Sequence, residues 1–229
     1  MSSRGDVPAA PPDERPVRIS VGSVVLDGIL AIPAGAHAIV LFAHGSGSGL
    51  RSPRNRLVAH MLRRTGLATL LMDLLTRHEE QAEAATGHLR FNIPFLAGRL
   101  IAATDWLLAN VETGGLHKGY FGASTGAAAA LLAAAQRPTA VGAIVSRGGR
   151  PDLARTVLAQ VHVPTLLIVG ERDEAVLAWN REALAELPAE KELAIVPGAT
   201  HLFEEPGALE EVARLASVWF ARHLTPTAR

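Results

Sequence analysis

Between Val17 and Ile32 apolar and polar residues alternate on either side of Gly22 and Ser23, which predicts two antiparallel strands joined by a tight turn. From Ala38 the pattern changes. Residues 38–43, AIVLFA, form a continuous apolar run, as a strand covered by helices on both faces requires. Short runs of the same kind recur at 68–73, at Tyr120 and Phe121, and at 140–145, 165–169 and 193–196. Segments with helical spacing lie between them: Leu57, Val58, Met61 and Leu62 after Pro53, then Leu96, Leu100, Ala103 and Leu107 after Pro94. An alanine-rich stretch follows Gly126, and further helices are expected over 152–160, 174–186 and 208–223. This order predicts an α/β fold with a mostly parallel sheet of about eight strands, flanked by helices on both faces. Residues 74–92 are polar and read as a short helix or a partial cover over the site, with His78, Glu79 and Glu80 on a solvated face. Trp106 and Trp219 fall on core-facing positions of their helices.

Residues 1–15, rich in Pro, Ala and charge, are expected to form a disordered tail ahead of a single domain over 16–229. Lys plus Arg and Asp plus Glu both number 22, so the formal net charge is zero, which argues against nucleic acid or an anionic membrane as partner. With no Cys there is no thiolate nucleophile, disulfide framework or Cys-based zinc site. Neither an apolar leader nor a membrane-length apolar run is present, so a cytoplasmic protein is expected. No metal or other cofactor is expected, and the oligomeric state is left open.

Chemistry concentrates in residues 117–135, HKGYFGASTGAAAALLAAA. A short β-type run ends in Gly122-Ala-Ser-Thr-Gly126, and a strong helix former follows at once. In such an elbow the small flanking residues let the backbone turn sharply. The turn pushes the Ser124 hydroxyl out above the sheet, where the unpaired N–H groups of the helix N-terminus would stabilise an oxyanion. A Gly/Ser turn before a helix is also a common cap, so the elbow needs partners.

Two arrive on later strand-exit loops. Asp173 follows the run at 166–170, and His201 follows 193–200. The order Ser, Asp, His supplies a nucleophile, an orienting acid and a general base: His201 would take the Ser124 proton while Asp173 holds the imidazole tautomer. Asp173 could instead cap the helix that begins near Glu174, and His201 could be an ordinary loop histidine. The Thr125 N–H is the expected first oxyanion donor, and the Ser46 N–H the second, with Gly47 as the alternative. The loop His44-Gly-Ser-Gly-Ser-Gly49 also suits a phosphate nest, but it has neither a P-loop ending nor G-x-G-x-x-G spacing. His44 and Gly47 are further candidates for substrate contact. Arg147 and Arg150 could hold a substrate carboxylate or be solvated or ion-paired.

The loop 44–49 with Ser52-Pro-Arg-Asn55, residues 68–73, Gly122 to Gly126, Ser146 to Asp152, Gly170 to Asp173 and Gly198 to His201 together resemble the dienelactone hydrolase-like branch of the α/β-hydrolase superfamily, over about residues 17–223. The resemblance implies a minimal hydrolase core without a large lid domain and a triad of Ser124, Asp173 and His201. Dienelactone hydrolase proper carries Cys as nucleophile, whereas position 124 is Ser, so dienelactone is not carried over as substrate. Some similar proteins are fused to a phosphoribosyltransferase-like domain, which is not expected in this chain. The expected function is a serine hydrolase that cleaves a small-molecule ester or lactone through an acyl-enzyme on Ser124. The alternatives are a hydrolase-fold ligand-binding or regulatory protein, a thioesterase or an acyltransferase.

Overall fold

The computed structural model describes residues 14–83 and 86–224. The N-terminal hairpin is β1 (Arg15–Val21) and β2 (Val24–Ala31), followed by β3 (Ala38–Ala43), α1 (Pro53–Arg64), β4 (Ala68–Met72), α2 (Arg77–Ala82) and α3 (Ile93–Ala109). Then come β5 (His117–Ala123), α4 (Thr125–Gln136), β6 (Ala143–Arg147), β7 (Thr165–Gly170), α5 (Glu174–Glu186), β8 (Lys191–Val196) and α6 (Ala208–His223). They build an eight-stranded sheet of order β1-β2-β4-β3-β5-β6-β7-β8. Only the β1–β2 and β2–β4 pairings are antiparallel.

The two-residue period of a strand divides the core. Ile39, Leu41 and Ala43 of β3 pack into a cluster with α3 and α4, while Ala38, Val40 and Phe42 pack into a second cluster with α1 and α6. Every residue of β3 is therefore buried, which is why its sequence does not alternate. The alanines of α4 let that helix lie close against the sheet, between α3 and the segment Pro151–Gln160. Trp219 is buried, and Trp106 packs against the first cluster.

Three expectations are corrected. Pro151–Gln160 is a 3₁₀ segment broken at Ala154, whose φ is −116°; the kink keeps Pro151, Ala154 and Leu158 all on the buried side. Folded structure begins before the expected tail ends, because β1 starts at Arg15 and Glu14 Oε1 accepts a 2.7 Å bond from the buried Arg63 guanidinium. The rest of the expected tail, residues 1–13, lies outside the described residues. Glu79 is not simply solvated: it closes a capping box with Thr76 and accepts a 2.5 Å bond from buried Arg99. No helix among the described residues is long and apolar enough to cross a membrane.

The chain leaves β3 for β4 on one side and returns to β5 on the other, so a crevice opens at the carboxyl ends of β3 and β5. Beneath it, Phe42 and Phe121 pack with ring centroids 4.9 Å apart, both buried. Replacing Phe121 by Ala leaves a cavity there and should cost about 3–5 kcal/mol, read as a lower urea midpoint at unchanged m-value.

Candidate active site

Ser124 stands at the head of this crevice. Its backbone has φ 50° and ψ −120°, a region that a side chain rarely occupies and that costs on the order of 1–3 kcal/mol. Three hydrogen bonds hold it there. The Ser124 N–H donates to the Arg147 carbonyl at 3.2 Å, and its own carbonyl accepts from the N–H groups of Ala127 and Arg150, each at 3.1 Å. The glycines of the elbow are demanded by contact: a Cβ on Gly122 would lie 2.7 Å from Ala127 N, and one on Gly126 would lie 2.5 Å from the His44 carbonyl. From Phe121 to Ala130 only Ser124 is not buried, so the elbow presents that side chain alone.

The loops that carry Asp173 and His201 converge beside it. Asp173 is the N-cap residue of α5, yet its side chain makes no capping bond. Its Oδ2 instead accepts from His201 Nδ1–H at 2.6 Å, which excludes the simple cap reading. The Arg172 N–H donates to the Ala199 carbonyl at 2.9 Å and ties the two loops together. A Cβ on Gly148 would lie 3.4 Å from His201 Nδ1, and Gly148 follows Arg147, whose carbonyl holds Ser124. The residue pair 147–148 thus lies against both Ser124 and His201. The Asp173 side chain is 14% exposed and that of His201 39%, so the acid is sheltered while the imidazole reaches solvent.

The expected oxyanion donors are linked to each other. Thr125 opens α4, so no helical carbonyl reaches its N–H, and its hydroxyl accepts the Ser46 N–H at 3.1 Å. His44 is buried, and burial lowers its pKa. Its Nε2 accepts the Leu74 N–H at 2.9 Å and its Nδ1–H donates to the Gly45 carbonyl at 3.0 Å, which leaves the ring neutral and both nitrogens occupied. Gly47, at φ 73°, forms part of the cleft wall.

That cleft is about 790 Å³ and reaches Ser46 and Thr125, one residue from Ser124. Its wall is charged, with Arg54, Arg77, Asp73 and Glu80 among its residues. Burial, then the charge of Asp73, pushes the Glu80 carboxyl above its ordinary pKa. The two candidate arginines part company here. Arg150 is held bidentately by Asp152 at 2.9 and 2.7 Å and stacks 4.3 Å from the Trp179 ring centre, so its fork is already occupied. Arg147 is buried and makes no ion pair among the described residues. Sequence reasoning did not single out Arg54 as a site residue; its only signal was the motif at 52–55. Among the described residues no group of three or more His, Asp or Glu side chains converges as a metal site.

Residues 26–223 match the model of the dienelactone hydrolase family. A crystal structure of a dienelactone hydrolase from Anabaena variabilis is 59% identical with a TM-score of 0.93, over 94% of this chain and 100% of that one. A dienelactone hydrolase-like promiscuous phosphotriesterase from metagenomic libraries shares the fold at 18% identity and a TM-score of 0.76, over 93% of this chain and 99% of that one. A protein of Mycobacterium tuberculosis, provisionally named a phosphoribosyl transferase, is 54% identical over 96% of this chain and 49% of its own length. The chain thus spans about half the length of that relative.

Gly126→Ala tests the packing of the elbow. Its methyl group has no room against the end of β3, so the variant should lose about 1–3 kcal/mol in urea unfolding and displace Ser124 from its position.

Proposed function

The chain belongs to the dienelactone hydrolase family and is an α/β-hydrolase enzyme, and from that premise we propose that it is a serine hydrolase cleaving a carboxylic ester or lactone through an acyl-enzyme on Ser124. The observation that carries this reading is the 2.6 Å bond from His201 to an aspartate that leaves its own helix uncapped. With Nδ1–H given to the carboxylate, Nε2 is the free basic nitrogen of the ring. It takes the Ser124 proton as Oγ attacks the substrate carbonyl, and Asp173 stabilises the imidazolium that forms.

The carbonyl oxygen then carries a full negative charge. The Thr125 N–H, at the positive end of α4, binds it in this reading, which the start of α4 at Thr125 supports. The Ser46 N–H donates to the neutral Thr125 hydroxyl in the free protein, and an oxyanion outcompetes a hydroxyl for that donor. Collapse of the intermediate breaks the bond to the leaving oxygen, which takes the proton back from His201 and departs as the alcohol. Water then attacks the acyl-serine by the same route, and the carboxylic acid leaves. Solvent exposure of the His201 side chain, 39%, favours water over another acyl acceptor at this step.

The substrate is a small molecule, as the volume of the cleft, about 790 Å³, also suits. Its charged walls favour a polar ligand over a long acyl chain, and His44 and Gly47 contribute to the wall rather than to the chemistry. The transferase name of the longer mycobacterial relative is that protein's own.

Intact mass after exposure to a fluorophosphonate should show one adduct on the wild type and none on Ser124→Ala; labelling of both would reject Ser124 as nucleophile. Asp173→Asn should fold normally and lower kcat by about 10⁴, because the imidazole is left in the wrong tautomer. Adding it to Ser124→Ala should cost little more, since the residues act as a unit.

A further inference from the structure

Asn180 is wholly buried on the second turn of α5, a place that suits an apolar side chain. Its Nδ2 donates to the Val176 carbonyl of its own helix at 2.8 Å and to the Gly149 carbonyl, 31 positions earlier in the chain, at 3.0 Å. Its Oδ1 is buried too and has no partner among the described residues. A buried amide with an unpaired oxygen costs stability, and an apolar residue of the same shape would avoid that cost. Asn is also a poor helix former, because its amide competes with the backbone for hydrogen bonds. What the fold gains in return is the contact that Nδ2 makes outside the helix.

That contact joins two parts of the candidate site. α5 begins directly after Asp173, its N-cap residue, so whatever fixes the first half of the helix also fixes the aspartate. Packing is thin there. Val176 and Leu177 share a small cluster with Val169, flanked by Trp179 and Leu193, whereas Ala183 and Leu187 farther along reach the large cluster that contains the α4 alanines. At the other end of the bond Gly149 has no room to shift: a Cβ on it would overlap the Ser146 hydroxyl and lie 2.8 Å from the Ala127 methyl group. Its neighbours touch the other two residues. Gly148 lies against His201, and the Arg150 N–H donates to the Ser124 carbonyl at 3.1 Å. The Arg150 guanidinium also stacks on Trp179, the residue before Asn180.

We propose that Asn180 is a positioning residue: through the Gly149 carbonyl it holds the start of α5, and hence the Asp173 carboxylate, in register with His201 and Ser124. The proposal rests on the hydrolase reading for its effect on turnover, but not for the placement of Asp173 against His201. The Arg172 bond to the Ala199 carbonyl ties only the tips of the two loops, and Asp173 makes no capping bond, so the helix behind them needs an anchor on the Ser124 side. Groups of this kind work only when held within about 0.5 Å of their productive places, and a displacement of about 1 Å costs about a hundredfold in rate.

Two variants separate the bonds that Nδ2 makes. Asn180→Leu keeps the shape and loses both. In Asn180→Thr the hydroxyl donates to the Val176 carbonyl, as Ser and Thr do four residues back in a helix, but it is too short to reach Gly149. Each is assayed with 4-nitrophenyl acetate and with dihydrocoumarin, an ester and a lactone, at a temperature where circular dichroism shows it fully folded. Both should lower kcat by about ten- to hundredfold with KM within about twofold of wild type. The low-field proton resonance of His201 Nδ1–H, the signature of its short bond to Asp173, should broaden or vanish in both. Wild-type kcat in Asn180→Thr would overturn the proposal, since the bond within α5 would then suffice. So would a lower melting temperature with unchanged kcat, a change confined to KM, or an unaltered His201 resonance. Failure of both variants to fold would make Asn180 a determinant of folding and overturn a positioning role as well. If the wild type turns over neither substrate but the resonance is present there and lost in the variants, the hydrolase reading falls and the positioning role stands.

Discussion

Where α4 begins, the backbone of Gly126 lies so close to the carbonyls of Ala43 and His44 that no Cβ fits between them, and the carboxyl edge of the sheet is laid out from that contact. It brings the exit of β3 against the exit of β5 at the point where strand order reverses. The Thr125 hydroxyl then reaches the Ser46 N–H across 79 positions of sequence, so one helix N-terminus carries Ser124, the Thr125 N–H and the hydroxyl that clamps the Ser46 N–H. A larger residue at 126 would separate all three at once. The alanines that follow serve the same end, since a helix of small side chains can settle close enough to the sheet for its first turn to meet the β3 loop.

Among the described residues only two non-glycine positions adopt positive φ, and both lie at the candidate site: Ser124 is the elbow serine and Phe203 follows His201 by two residues. Each conformation costs on the order of 1–3 kcal/mol and persists only because its surroundings overdetermine it. At Ser124 the offset is a backbone bonded on both sides. At Phe203 it is burial of the whole ring in the α1–α6 cluster, on the order of 1.5–3 kcal/mol for a large apolar side chain. The two sources of rigidity differ, but each fixes a side chain within the same few residues.

Electrostatics divides the two faces of the sheet. Beneath α4 the core is alanine and leucine, whereas on the other face Arg147 is buried with its guanidinium 5.7 Å from the ring centre of Phe203 in the α1–α6 cluster. Two buried arginines are matched, Arg63 by Glu14 brought ahead of β1 and Arg99 by Glu79 taken from a helix cap, whereas the buried Lys118 ammonium donates to the Gly114 carbonyl.

The strands, their burial on both faces and the order of Ser124, Asp173 and His201 were legible in the sequence, because apolar periodicity and strand–turn–helix chemistry act over a few neighbouring residues. So was the Gly-x-Ser-x-Gly elbow, though its necessity rests on a contact with β3 that no local pattern contains. Only the tertiary structure decided partners. Asp173 reads equally as a helix cap or a triad acid until His201 comes within 2.6 Å of it. Arg147 and Arg150 are alike in the sequence, yet one meets Asp152 two residues away and the other enters a core without a carboxylate. Glu79 reads as a solvated residue until Arg99 of another helix needs it. Side-chain pairing depends on where elements far apart in the chain settle, and packing of the whole core sets those distances rather than any stretch of sequence.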